Sequence, residues 1–275
     1  MSIFNDEIKL IAADFAITPG IVAISSFLTE PKDKALFGEE NRLYIYSENP
    51  LSEEIRNEIA DRYCESYEIG KCPDDVIDFW HLKTSGKELK LYFRSPMWLM
   101  GELRSILVNY EAKSGFTTCK WHNLMHSNAV FDPIEWFEDL KKSSDVPYPE
   151  GLRSAILRRN FYRLFGCRNS SFGKLRQAVG KSDHTDACIA VSEILSSYFD
   201  ILFAFNQTTH PGEHNMPEKA KEMCEKLPEH FEEDIKSLVF SISRNNEETV
   251  AMAKILIERL EELIKQDVEK ENRHP

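Results

Sequence analysis

Two stretches of this 275-residue chain place residue types at spacings that chemistry can use. In Trp121-His122-Asn123-Leu124-Met125-His126 the two histidines lie four apart on an expected helix. Imidazoles at that spacing can share a metal ion, but the glutamate that HExxH chemistry needs after the first histidine is Asn123 here. The pair therefore points to packed, hydrogen-bonded histidines rather than a metal site. In Ser196–His214, SSYFDILFAFNQTTHPGEH, Asp200 sits in an apolar helix beside Tyr198 and Phe199. A buried carboxylate is costly without a partner, and Arg158 or Arg159 is the expected one. His210-Pro211-Gly212-Glu213 follows as a rigid turn. One reading makes these groups a structural ion pair and an ordered loop. The other sets them at the mouth of an inter-domain cleft, where they bind ligand.

Charge supplies a third signal. The chain carries −12 overall, yet residues 153–181 hold eight bases (Arg153, Arg158, Arg159, Arg163, Arg168, Lys174, Arg176, Lys181) and no acid. A basic run in an acidic protein reads as a local anion site, or as a solvated face that pairs with acidic neighbours. The overall sign weighs against nucleic acid as a partner. No GxGxxG, GxxxxGK[ST] or GxSxG occurs, which removes the common dinucleotide, P-loop and serine-hydrolase readings. The six cysteines form no CxxC pair, so reduced structural thiols are expected. The amino terminus has acids where a signal peptide needs bases, and no long apolar run is free of charge. The expected location is the cytoplasm, with no membrane partner.

The elements that must position these residues fall into two halves. Asn5–Ile17 has helical spacing (Ile8, Ile11, Phe15), and Pro19-Gly20 then breaks the chain. Residues 20–24 and 43–46 read as strands, and Leu51–Tyr67 as a helix with Ser52 its cap. Val76–Leu82 and Glu88–Arg94 read as a hairpin across Thr84-Ser85-Gly86. From Ser95 the pattern is helix after helix: Ser95-Pro96 and Asp132-Pro133 start two, Glu150–Phe165 is basic, and Asp183–Phe205 is long and apolar. Helices around Pro228–Phe240 and Asn246–Asp267 close the chain. On the last one, Ile255, Leu260 and Leu263 serve internal packing or a homodimer seam. The expected fold class is α+β, a mixed β-sheet domain over residues 1–112 followed by an all-α bundle over 113–275.

The segment SYFDILFAxN…HPGE resembles one shared by a family of two-domain nucleotidyltransferase-like proteins of unknown function, distantly similar to aminoglycoside nucleotidyltransferases. Tyr110-Glu111-Ala112, Phe116-Thr117-Thr118, Trp121-His122-Asn123, His126-Ser127, Phe131-Asp132-Pro133, Trp136-Phe137, Tyr148-Pro149-Glu150 and Arg158-Arg159-Asn160 resemble it too. The resemblance covers residues 88–215. It implies a Gly-Ser turn after the first strand to hold a triphosphate, an Asp-x-Asp pair on the next strand, and a third carboxylate on a later one. Together these would bind two Mg²⁺ ions.

The chain departs from that pattern at each position. Ser25-Ser26 stands for Gly-Ser, Glu40-Asn41-Arg42 for Asp-x-Asp, and Lys90 for the third acid. Two cations at a Mg²⁺ site repel the ions. The expected protein is thus a pseudoenzyme that binds a nucleotide, another phosphorylated or anionic ligand, or a partner. Arg158, Arg159, His122, Asn123, Tyr198, Asp200, His210 and Glu213 are candidate ligand contacts. One alternative is an active enzyme, with Glu39 or Glu40 and Glu88 as substitute ligands, Mg²⁺ and an NTP. A second is a structural interaction protein.

Overall fold

A computed structural model describes residues 3–28, 41–71, 76–244 and 247–273. The chain forms two compact units, one of Met1–Ser105 with Lys120–Val146, the other of Ile106–Cys119 with Pro147–Pro275.

In the first unit the elements run α1 (Ile3–Ala16), β1 (Ile21–Phe27), β2 (Arg42–Ser47), α2 (Glu53–Tyr63), β3 (Cys64–Glu68), β4 (Ile77–Leu82) and β5 (Glu88–Arg94). They continue with α3 (Pro96–Leu107), α4 (Cys119–Met125), β6 (Asn128–Phe131) and α5 (Trp136–Ser144). The strands make one mixed sheet in the order β3-β4-β5-β2-β1-β6. Only β2 and β5 pair in parallel, because α2, β3 and β4 intervene between them. Strand alternation separates the two faces of the sheet. Leu43, Ile45, Leu89, Leu91 and Phe93 point into an aliphatic core with Phe4, Ile8, Ile11 and Phe15 of α1 and Ile59 of α2. Helix α2 starts where Ser52 accepts a hydrogen bond from the Ile55 amide. It also buries Arg56, which pairs with Asp78 of β4 under the sheet.

Two strands differ from the reading of the sequence. The helix expected to run to Tyr67 stops at Tyr63, because Cys64–Glu68 pairs with β4. Asn128–Phe131 adds an edge strand to β1. Residues 120–146, expected in the all-α half, therefore pack with the sheet. The helix expected to start at Asp132-Pro133 begins instead at Trp136 after a turn, and the Asp132 carboxylate accepts from the Phe137 and Glu138 amides of its first turn, both at 3.0 Å.

The second unit is helical: α6 (Glu150–Phe165), α7 (Ser171–Gly180), α8 (His184–Phe205), α9 (Met216–Met223), α10 (Phe231–Ser241) and α11 (Glu247–Arg273). Asp183 caps α8 by accepting from the Asp186 amide at 3.0 Å. Helix α8 is the only one among the described residues long and apolar enough to span a membrane, and 67% of that stretch is buried within the protein. Its Val191, Ile194, Tyr198 and Leu202 form one core with Leu175 of α7, Phe231 of α10 and Leu260 of α11. Leu263 packs against that core. The α+β class holds.

Candidate functional site

The sheet face opposite the aliphatic core is cationic and aromatic. It takes Arg42, Tyr44 and Tyr46 from β2 and Lys90, Tyr92 and Arg94 from β5. The parallel register sets Arg42 beside Lys90, Tyr44 beside Tyr92, and Tyr46 beside Arg94. Phe27 of β1 is opposite Arg42, and Phe79 of β4 is opposite Lys90, so one row across four strands reads Phe27, Arg42, Lys90, Phe79. Each cation lies over a ring: Arg42 is 5.3 Å from the Phe27 centroid, and the Lys90 ammonium is 5.9 Å from that of Phe79. Arg94 is 5.3 Å from the rings of both Tyr92 and Trp98.

Aromatic stacking stiffens this face. Tyr44 and Tyr92 stack with centroids 5.0 Å apart, and Tyr46 meets Trp136 of α5 edge-on at 5.2 Å. Burial and the neighbouring Tyr44 push the Tyr46 phenol well above its ordinary value. At the carboxyl ends of β2 and β5 a cavity of about 260 Å³ opens between Ser47, Glu48, Phe93, Arg94 and Trp98.

Ser25 and Ser26 do not form a turn after the first strand. Strand β1 runs on to Phe27, and both serines are paired within it, Ser25 with Tyr44 and Ala129, Ser26 with Leu43 and Asn128. Both are buried, and the backbone there is committed to ladder hydrogen bonds rather than to a phosphate. The segment where a phosphate-holding turn would follow, with Glu39 and Glu40, lies outside the described residues. Asn41 ties β2 to β5 by donating to the Glu88 carbonyl at 3.2 Å. Glu88 is exposed, two residues from Lys90 on the same face. Among the described residues no three of His, Cys, Asp and Glu gather where a metal could be held.

Of the candidate contacts in this unit, Asn123 on α4 accepts from Arg42 at 3.5 Å, so it belongs to the cationic face. His122 is buried, its ring stacked on His126 at 3.9 Å, and the Nδ1 of His126 is 2.9 Å from the His122 carbonyl.

The remaining candidates belong to the helical unit, where the motif residues meet in a buried clasp. Asp200 accepts from the Thr117 amide at 2.9 Å, the Thr117 hydroxyl at 2.7 Å and the Asn160 side-chain amide at 2.9 Å. The expected arginine partner is therefore wrong. Arg158 and Arg159 stand exposed on α6, while Asn160, one residue on, turns inward, since 100° per residue separates neighbours on a helix. With dipoles instead of a cation as partners, burial dominates and raises the Asp200 carboxyl to about 6. Gly115 makes the close approach possible: at φ +85° it lies where an added Cβ would be 1.9 Å from the Ser196 hydroxyl of α8.

Thr118 extends the clasp by accepting from the His210 amide at 2.8 Å. The His210 ring is fully buried between Phe116 and Phe203, at 4.7 and 4.9 Å. It accepts from the Gly212 amide at 3.2 Å, and burial lowers it to about 3, so it stays neutral. Tyr198 points away from the clasp into the helical core, stacked on Phe231 at 6.4 Å, and burial raises its phenol. Glu213 is exposed after the turn. Thr117, Thr118 and Asn160 belong to the motif segments, but reading the sequence did not assign them as the partners of Asp200 and His210.

No protein-family model matches the chain, and no curated protein matches it. Among solved structures the chain is similar to a nucleotidyltransferase-like protein from Exiguobacterium sibiricum, at 15% identity and a TM-score of 0.45, over 96% of this chain and 76% of that one.

Proposed function

We propose that the chain is a nucleotidyltransferase-like protein that binds a nucleotide or another phosphorylated ligand on the cationic sheet face, without transferring a nucleoside monophosphate. The observation that carries this reading is the adjacency of Arg42 and Lys90 in the parallel β2–β5 register. Neighbouring strands lie ~5 Å apart, and like charges at that spacing repel. A phosphate bridging both turns that repulsion into two charge-assisted contacts. A divalent cation at the same place meets only repulsion from them. The partly exposed Tyr92 and Trp98 rings offer stacking surface for a base.

Isothermal titration of the full chain with ATP, with and without Mg²⁺, tests the reading. Binding should persist without Mg²⁺ and weaken at least tenfold in Arg42→Gln/Lys90→Gln. Binding that strictly needs Mg²⁺, together with pyrophosphate release that Glu88→Gln abolishes, would instead establish the active transferase.

A further inference from the structure

The helical unit holds a second cationic recess, remote in sequence from the sheet residues. A cavity of about 450 Å³ lies where the α6–α7 turn meets the start of α11, lined by Phe165, Cys167, Arg168, Arg176, Gln177 and Glu247 among others. Arg168 and Arg176 are exposed, and neither makes an ion pair or side-chain hydrogen bond among the described residues. Other bases of the 153–181 run are engaged: Lys174 binds Glu193 at 2.9 Å and Arg153 binds Glu150 at 3.2 Å. Arg158 and Lys181 also lack an ion pair among the described residues but do not line the recess, so Arg168 and Arg176 are the unpaired cations of the run that face it.

The recess is built rather than incidental. Gly173 on α7 lets the backbone of the preceding turn pass close: an added Cβ would be 2.3 Å from the Arg168 carbonyl, which fixes the turn carrying that arginine. Phe165 and Phe172 stack at 4.6 Å and form an apolar wall beside the charges. The Gly173 amide is already taken by Ser170 at 3.2 Å, so the arginines, not that amide, are the anion donors. Glu247, also in the lining, offers an acceptor to a ligand hydroxyl.

We infer that this recess binds a small phosphate monoester with an apolar or aromatic body, the phosphate between Arg168 and Arg176 and the body against Phe165 and Phe172. Paired guanidiniums suit phosphate geometry, and the volume suits a small ligand rather than a polymer. The remaining 26 bases of the chain sit among all 46 acids, a surround that repels polyanions.

Titration of the full chain with phenyl phosphate, followed by ¹H–¹⁵N spectra, tests this. Saturable shifts at Gly173 and Gln177 are expected, with weaker binding of inorganic phosphate and none of phenol. Arg168→Gln/Arg176→Gln should weaken binding at least tenfold, whereas Lys254→Gln/Lys265→Gln, an equal charge loss on α11, should change it less than twofold. Equal losses in both variants, or no saturable binding, would overturn the inference. So would binding that survives Arg168→Gln/Arg176→Gln but is lost in Arg42→Gln/Lys90→Gln, which would assign the phosphate to the sheet face alone.

Discussion

Asp200 and Thr117, 83 residues apart, are joined twice: the Thr117 amide and hydroxyl both donate to the one carboxylate. This contact gathers the motif residues of the helical unit and gives them a structural role. Asp200, Thr117 and Asn160 anchor a loop on α8, and His210 seals its far end against Thr118. The ligand chemistry proposed here uses other residues.

Removing the carboxylate leaves the buried Thr117 amide and hydroxyl unmet, while the Asn160 amide still donates to the Ile156 and Lys113 carbonyls. Asp200→Ala should destabilise the protein by ~3 kcal/mol, since each orphaned donor costs roughly 1–3 kcal/mol and some will find water. Urea unfolding measures it; a loss under ~1 kcal/mol would mean the loop is anchored elsewhere.

The same carboxyl makes stability depend on pH. Its folded value is about 6, above the ordinary carboxylate range, so the folded state binds the proton more tightly than the unfolded chain does. The resulting stabilisation is complete below about pH 4 and is lost as pH rises through about 6. Asp78, also raised to about 6 by burial, adds the same sign. The gap in unfolding free energy between wild type and Asp200→Asn should therefore widen on acidification from pH 7 to pH 5 in favour of the wild type. A gap that is constant over this range would show that Asp200 does not titrate there.

Gly115→Ala meets both a left-handed backbone and the Ser196 side chain. A loss of ~2–4 kcal/mol is expected, with ~1 kcal/mol recovered in the double variant with Ser196→Ala, because the hydroxyl can be removed but the φ cannot. Full recovery would mean that only the clash matters.

Arg56 is buried with Asp78, and Gly70 completes the pair: its amide donates to Asp78 at 2.9 Å and its carbonyl accepts from Arg56 at 3.1 Å. Arg56→Met should cost ~3–5 kcal/mol, as an uncompensated buried charge does, and Arg56→Met/Asp78→Leu should be closer to wild type. Thermal unfolding of the three proteins decides, and a double variant weaker than the single would contradict it.

His122 and His126 are stacked ring on ring, with an Nδ1 already engaged by a carbonyl. Zinc should leave the melting temperature unchanged. A rise that His122→Ala removes would establish a metal site there.

Local signals in the chain determined a good deal by themselves. Ser52 and Asp183 cap their helices, Glu150–Phe165 is helical with the expected bounds, and the alternation in Arg42–Ser47 and Glu88–Arg94 sorts cations and tyrosines to one face and aliphatics to the other. These depend on capping groups and side-chain periods that lie within a few residues. Tertiary structure alone decided what pairs at a distance. Cys64–Glu68 continues a helical pattern but becomes a strand because β4 supplies its ladder, and Asn128–Phe131 is a strand only because β1 has an open edge. Asp200 chose Thr117 and Asn160 over the neighbouring arginines because helix rotation turns Asn160 inward and leaves Arg158 and Arg159 in solvent, where a guanidinium keeps its hydration at no desolvation cost.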